Sequence, residues 1–265
     1  MVTSVLKSTW AYRSFILGSI KRDIQARYKS SALGALWTIF GPLAMITVYT
    51  VVFSEIMRAK LPGSEDPLAY SIYLCSGVLA WGFFSESLTR ATNVFIENGN
   101  LIQKLNFPRS SLPMIVIGNA LFNFFIVLAL FGIYLLITDR WPGAAILSLP
   151  ILVALQIILI AGLGITLGVL NVFFRDVGQL LAIVLQFWFW LTPIVYPLSI
   201  IPEKFQGIVE SNPLTPLIQA YQTVFLNGQW PDWQQLAPLT IGSTLLLIIG
   251  YGLFKAKSGE MVDEL

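Results

Sequence analysis

The sequence predicts an all-α integral membrane protein. It would have six transmembrane helices, an N-terminal amphipathic interfacial helix, and short extracytoplasmic re-entrant or interfacial helices between spans five and six. Three observations carry that expectation. Of 265 residues, 56% are hydrophobic and only 11% charged, against about 25% charged in an ordinary soluble domain. The charges leave long uncharged windows between them. The basic residues crowd onto alternate loops. A chain with so little polar surface cannot cover a globule in water, which excludes an ordinary soluble enzyme, a disordered tail and a fibrous repeat. The single Cys75 excludes a disulfide framework within one chain, and the absence of His removes the commonest general base and metal ligand.

The first 29 residues carry six basic side chains interleaved with Val5, Leu6, Trp10, Phe15, Ile16, Leu17, Ile20 and Ile24. A secretory signal would place its charges before one compact apolar core, with a cleavage site after it. Residues 1–31 instead fit a basic amphipathic helix on the cytoplasmic membrane face. That helix either serves only as an anchor or also contacts a cytoplasmic partner.

A charge at the bilayer centre costs about 2.5–3.5 kcal/mol on insertion scales, so uncharged windows map the membrane. Residues 30–54, 67–85, 110–138, 141–174, 177–202 and 233–254 are uncharged. A helix needs about 20 apolar residues to cross about 30 Å of hydrocarbon. Spans are therefore expected near 32–55, 68–92, 113–137, 145–173, 177–196 and 236–254, within one membrane domain over 32–255, with 256–265 as a cytoplasmic tail. A further uncharged window, 211–231, holds Asn212, Pro213, Pro216, Gln219, Gln222, Asn227, Gly228, Gln229 and Pro231. Backbone interrupted that often cannot face lipid in the bilayer core.

An even number of spans puts both termini on one side. With the termini inside, Lys and Arg divide 12 inside against 4 outside, which places both termini in the cytoplasm of a multi-pass protein. The longest inner loop between spans is 93–112, with Leu101, Ile102, Leu105 and Phe107 among charges. The outer segment 197–235 is proline-rich, with amphipathic pieces at 203–210 and 214–226. Glu86 and Arg90 are spaced to pair on one face of the second span.

Several chemistries are missing from the sequence. There is no G-x-x-x-x-G-K-[ST] phosphate loop, no G-x-S-x-G elbow, and no Cys or His pair to hold a metal. No Asp, Glu, Lys or Arg falls at the centre of any expected span, where proton-coupled transporters place a titratable group. The chain moves or anchors something, with its energy source elsewhere.

Four stretches carry a resemblance: RDIQARYKSSALGALW (Arg22 to Trp37), ENGNLIQKLNFPRSSLP (Glu97 to Pro113), NVFFRDV (Asn171 to Val177), and TPIVYPLSIIP with NPLTPLIQAY (Thr192 to Tyr221). Together they resemble the membrane (permease) subunit of type-2 ABC transporters, and more narrowly the bacterial exporters of O-antigen, capsule and teichoic-acid polysaccharides. The outer segment departs from that pattern, with Gln219 and Gln222 where a Glu and an Arg are common. Any extracytoplasmic ion pair built on those positions is therefore in doubt.

The resemblance implies a permease in the bacterial inner membrane, not itself an enzyme. It implies a second copy of the chain, two copies of a cytoplasmic ABC ATPase that bind the ATP and Mg, and a lipid-linked polysaccharide on an undecaprenyl-diphosphate carrier. No cofactor, metal or nucleic acid is expected on this chain. Aromatic rings stack on sugar faces, so Trp37, Tyr49, Trp81, Phe84, Phe187, Trp188 and Trp190 are candidates for the substrate path, or else lipid-facing filler and interfacial anchors. Arg22, Arg27 and Lys29 either receive the lipid diphosphate or only obey the inside bias. Glu97, Asn100, Leu101, Lys104, Phe107 and Arg109 are candidates for coupling to the ATPase through a short docking helix. Arg175 and Asp176 form a structural turn, with Asp176 placed to cap the next helix. A permease of the same architecture for a small molecule or drug is an alternative, as is a membrane-embedded transferase acting on polyprenyl-linked sugars. Lack of His and of mid-span acids counts against the transferase.

Overall fold

The computed structural model describes residues 12–29, 34–57, 61–62, 64–104, 109 and 111–265. Among them every regular element is helical, as the composition requires. In order these are α1 (Arg13–Lys29), α2 (Gly34–Thr50, continued by a π-helical turn Val51–Ile56), α3 (Ala69–Glu97), α4 (Gly99–Lys104), α5 (Ser111–Ile137) and α6 (Leu149–Phe173, entered through the 3-10 turn Gly143–Ser148). Then follow α7 (Asp176–Leu191), α8 (Glu203–Glu210), α9 (Thr215–Gln222, continued by a π turn Thr223–Asn227), α10 (Trp233–Lys257) and α11 (Glu260–Glu264).

Among the described residues, three helical segments are long and apolar enough to cross a membrane: Ser111–Ile137, Gly143–Phe173 and Trp233–Lys257. Ile39–Ser54 and Asp176–Leu191 are apolar but shorter. The fifth expected span reached residue 196, whereas α7 stops at Leu191. The cause is local: Pro193 forces Thr192 into the extended region (φ −104°, ψ 135°), because the proline ring clashes with an α-helical residue before it. At 16 residues α7 rises only about 24 Å.

α6 is the axis of the packing, lying between α3 and α10. Close approach is possible because α6 carries glycines on both contact faces. A Cβ on Gly162 would sit 2.8 Å from the Leu247 backbone nitrogen, and one on Gly250 would meet the Gly162 carbonyl at 2.9 Å. Toward α3, a Cβ on Gly164 would lie 2.6 Å from that of Ala91. In lipid no hydrophobic force drives helices together, so small residues that let backbones touch supply the van der Waals contact.

The main core gathers Phe84 and Leu88 of α3, Phe131 and Leu135 of α5, Leu152 and Ile160 of α6, and Leu217, Tyr221 and Phe225 of α9 with its π turn. α9 is thus a buried helix despite Pro216 in its first turn. It ends at Gly228, whose φ of 62° is the left-handed conformation that glycine adopts without strain. One end of the bundle, here the cap, carries 61–62, 64–68, 138–142 and 192–232, and Arg140 joins Asp66 across two of its loops at 3.0 Å. The opposite end, the base, carries α4, the α6–α7 turn and α11. A second cluster of Phe95, Ile102, Val169, Phe254 and Met261 closes it. Residues 256–265, set apart by sequence as a tail, are folded into the base: α10 runs through Lys257 and Met261 of α11 is buried.

α1 lies against α5 and α2 near the base. Ile16 and Ser19 are buried, Ile20 Cδ1 fits over Gly118, and Asn119 donates to the Asp23 carboxylate at 2.8 Å. Tyr12, Phe15 and Leu17 are exposed on its other side.

Candidate functional site

The aromatic residues singled out by sequence divide into three groups. Trp81 and Phe84 are buried on α3, Phe84 being only 1% exposed. They pack with Trp188 and with Phe189, which sequence reasoning missed. Phe84 meets Trp188 edge-on at 5.5 Å between centroids, and Trp81 meets Phe189 at 5.7 Å. These rings hold α7 against α3, with Trp81 and Phe84 buried and Trp188 and Phe189 partly exposed. Phe187 and Trp190, 68% and 60% exposed, point off the opposite face of α7. That face continues through Leu180, Ile183, Val184 and Leu191. Tyr49 is half-buried beside Phe53, in the last turn of α2 near the cap. The Trp37 side chain lies outside the described residues.

Where α7 ends, Asn212 ties the helix to the cap. Its Oδ1 accepts from the Trp188 indole at 2.9 Å and from its own Leu214 N–H at 3.0 Å. Its amide donates to Thr192 Oγ1 at 2.9 Å. The Asn–Pro–Leu run therefore has a physical reason: one side chain satisfies both the turn and the frayed end of α7. Residues 193–196 are held from α3. Tyr73 donates to the Pro193 and Tyr196 carbonyls at 2.8 and 2.9 Å, and Tyr70 to the Val195 carbonyl at 2.6 Å. Gln222 of α9 also donates to Pro193, at 3.0 Å. Deeper in, the fully buried Gln156 of α6 donates to the Ala80 carbonyl at 2.8 Å and accepts from Tyr221 at 2.9 Å. Nothing in the sequence alone distinguishes these amides from surface ones.

At the base, the inner loop contains the helix α4. Glu97, Asn100 and Leu101 are exposed, Ile102 is buried, and Gly99 sits against Leu265. Arg109 is turned inward and donates to the Ser258 carbonyl at 2.6 Å, fastening the loop to the end of α10. The Lys104 side chain and Phe107 lie outside the described residues.

The α6–α7 turn exposes Arg175 and Asp176. Asp176 opens α7, where a carboxylate suits the helix dipole, but the hydrogen-bond cap expected of it comes from elsewhere. Asn171, buried on α6, accepts from the Gly178 N–H at 2.9 Å while donating to Asn93 Oδ1 and the Thr92 carbonyl at 3.1 Å each. The reversal is so tight that the last turn of α6 supplies the acceptor. A Cβ at Gly178 would stand 2.8 Å from Asn93.

A groove of 440 Å³ runs between α1 and the base ends of α3 and α5, bordered by Ser19, Arg22, Asp23, Asn98 and Leu101. Arg22 donates to Ser19 at 3.0 Å and is otherwise exposed. The Arg27 and Lys29 side chains lie outside the described residues. Glu86 and Arg90 pair at 3.1 Å on α3, and Asn123 of α5 donates to Glu86 at 3.2 Å. Among the described residues no group of three or more His, Cys, Asp or Glu is placed to hold a metal ion.

Apolar helices, a glycine-packed axis and a buried polar frame at one end define a membrane-embedded helical domain. This chain belongs to the ABC-2 type transporter family, which matches residues 16–226. It is 28% identical over 263 residues to an O-antigen export system permease protein RfbA of Myxococcus xanthus, covering 98% of this chain and 99% of that one. A Klebsiella pneumoniae protein of the same name is 32% identical over 234 residues, 88% of each chain. The polysialic acid transport protein KpsM of Escherichia coli is 24% identical over 247 residues, 92% of this chain and 93% of that one.

Proposed function

We propose that this chain is the permease subunit of an ATP-driven exporter that moves a lipid-linked, O-antigen-like polysaccharide from the cytoplasm across the inner membrane. The observation that carries this reading is similarity over most of the chain to permeases named for O-antigen export. The sequence lacks a phosphate loop, so hydrolysis falls to a separate ATPase, of which the type-2 ABC resemblance implies two copies.

In this reading the chain crosses the membrane six times, through α2, α3, α5, α6, α7 and α10, with both termini and the base in the cytoplasm. Segment 1–31 lies on the inner face. Two copies meet through α2 and α7, whose open apolar faces (Ile39, Phe40 and Leu43; Ile183, Phe187 and Trp190) support a joint or a conduit wall. Phe187, Trp190, Tyr49 and Trp37 then offer rings to the polymer, with Trp81, Phe84 and Trp188 as their backing. Stacking of about 0.5–1.5 kcal/mol per ring suits a chain that must keep moving. The α1 groove receives the carrier diphosphate through Arg22, with Arg27 and Lys29 nearby in sequence. Helix α4, with Glu97, Asn100, Leu101 and Lys104 and with Phe107 and Arg109 following, docks on the ATPase. Cells lacking this chain should retain polymer in the cytoplasm and lose it from the surface, with synthesis intact. Normal surface polymer in such cells would reject the reading.

A further inference from the structure

The cap holds a polar cavity of 430 Å³ that none of the residues assigned above to transport lines. Its volume is in the range of small-molecule sites, about 300–1,000 Å³. Gln219, Asn227, Gln229 and Gln235 line the cavity, and their side-chain amides make no hydrogen bond within the described protein. The Trp230 ring also lines it, half-exposed.

The frame around these groups is fixed. Gln222 and Tyr73, also in the wall, both hold the Pro193 carbonyl. Gly228 makes the left-handed turn that separates Asn227 from Gln229. Asp232 caps α10 through Oδ1, accepting from the Gln234 and Gln235 N–H groups at 2.9 and 3.4 Å. The backbone that carries the free amides is therefore fixed by a helix, a capped helix start and a defined turn, while the Asn227, Gln229 and Gln235 side chains are exposed.

The chemistry selects a ligand class. Each amide offers two donors and an acceptor, matching hydroxyls that both donate and accept. The indole offers a flat face to the apolar side of a sugar ring. Among the described residues no Lys or Arg lines the cavity, and Asp232 is the only ionisable side chain there besides the Tyr73 phenol. A phosphate or a sugar carboxylate would lose its hydration there, gain no cation, and face one carboxylate. Gln219 and Gln222 add no charge to the wall.

We propose that this cavity is a saccharide subsite for neutral sugar units of the polymer. It rests on the exporter reading and narrows it: the emerging polymer presents neutral rather than acidic residues here. A weak hold on one or two residues would oppose backsliding between strokes of the ATPase without stopping forward motion.

The test uses the full-length chain with its ATPase in lipid nanodiscs, probed by saturation-transfer NMR. The probes are neutral tetrasaccharides of mannose and of galactose, with tetrameric sialic acid as the acidic control. We expect saturable millimolar binding of a neutral probe and none of the acidic one. Trp230→Ala should weaken binding up to about tenfold and Gln219→Leu several-fold, with basal ATP hydrolysis unchanged as the folding control. Gln219→Lys should admit the acidic tetramer. No saturable neutral binding, equal binding of the acidic probe, or indifference to Trp230→Ala overturns the assignment. A parallel deletion separates the two readings. If loss of the chain leaves surface polymer intact, the exporter reading fails. If loss of the chain clears the surface while the cavity ignores sugars, only the subsite fails.

Discussion

Replacing Tyr221 by Phe removes one oxygen from a side chain that is 0% exposed, and leaves the Gln156 Oε1 without the donor it has at 2.9 Å. Gln156 is itself 0% exposed and is turned by its bond to the Ala80 carbonyl, so it cannot seek water. An orphaned buried acceptor costs about 1–3 kcal/mol in soluble proteins, while interhelical hydrogen bonds in membranes average about 0.6 kcal/mol. The site joins a cap helix to two core helices, so a loss of about 1 kcal/mol is expected. For a chain of this length that lowers the melting midpoint by about 2–4 °C. Gln156→Leu alone strands the Tyr221 hydroxyl and should cost a similar amount. The double variant strands nothing, so its loss should fall short of the sum by about 0.5–1 kcal/mol. Melting of the purified protein in nanodiscs, read by loss of the monodisperse peak, gives all four values. Strict additivity, or a neutral Tyr221→Phe, would refute the buried network.

Other outcomes follow from the same geometry. Gly162→Val should push α10 from α6 and cost about 1–3 kcal/mol, seen as reduced abundance in the membrane. Asn171→Ala should lower thermal stability by about 1 kcal/mol or more, whereas Asp176→Ala should cost less; the reverse order would return the cap to Asp176. Charge reversal at Glu97, exposed beside α4, should leave insertion and basal hydrolysis intact but uncouple hydrolysis from export, and undiminished polymer export would sink that role. Phe187→Ala with Trp190→Ala should cut export while Phe84→Ala cuts folded yield; equal export after removal of both exposed rings would leave the α7 face to lipid.

The helical class was legible because it depends on bulk composition and charge placement, which no tertiary detail can reverse. The end of α7 was misplaced by five residues because uncharged windows mark where lipid is tolerated, not where a helix stops. Pro193 was the local signal that decides it. The cap of α7 was missed for another reason: Asp176 has the right residue type and position, but the tight reversal brings Asn171 closer, and only a folded turn shows that. The rings were visible as a set. Which of them are inside the subunit depends on the face of α7 that meets α3, and both faces of that helix carry large apolar side chains, so residue type does not reveal it. Gln156, Gln222 and Asn212 look in sequence like ordinary polar residues near proline-rich backbone, and their importance comes from burial.

Reconstitution gives the decisive readout. The chain and its ATPase are placed in liposomes whose outer leaflet carries the lipid-linked polysaccharide, with the ATPase facing outward. Polymer that has crossed is scored by its protection from an added glycosidase. The account predicts ATP-dependent protection that needs both proteins and disappears when ATP is replaced by a non-hydrolysable analogue. A complex that hydrolyses ATP at a normal rate yet leaves all polymer open to the enzyme would contradict it.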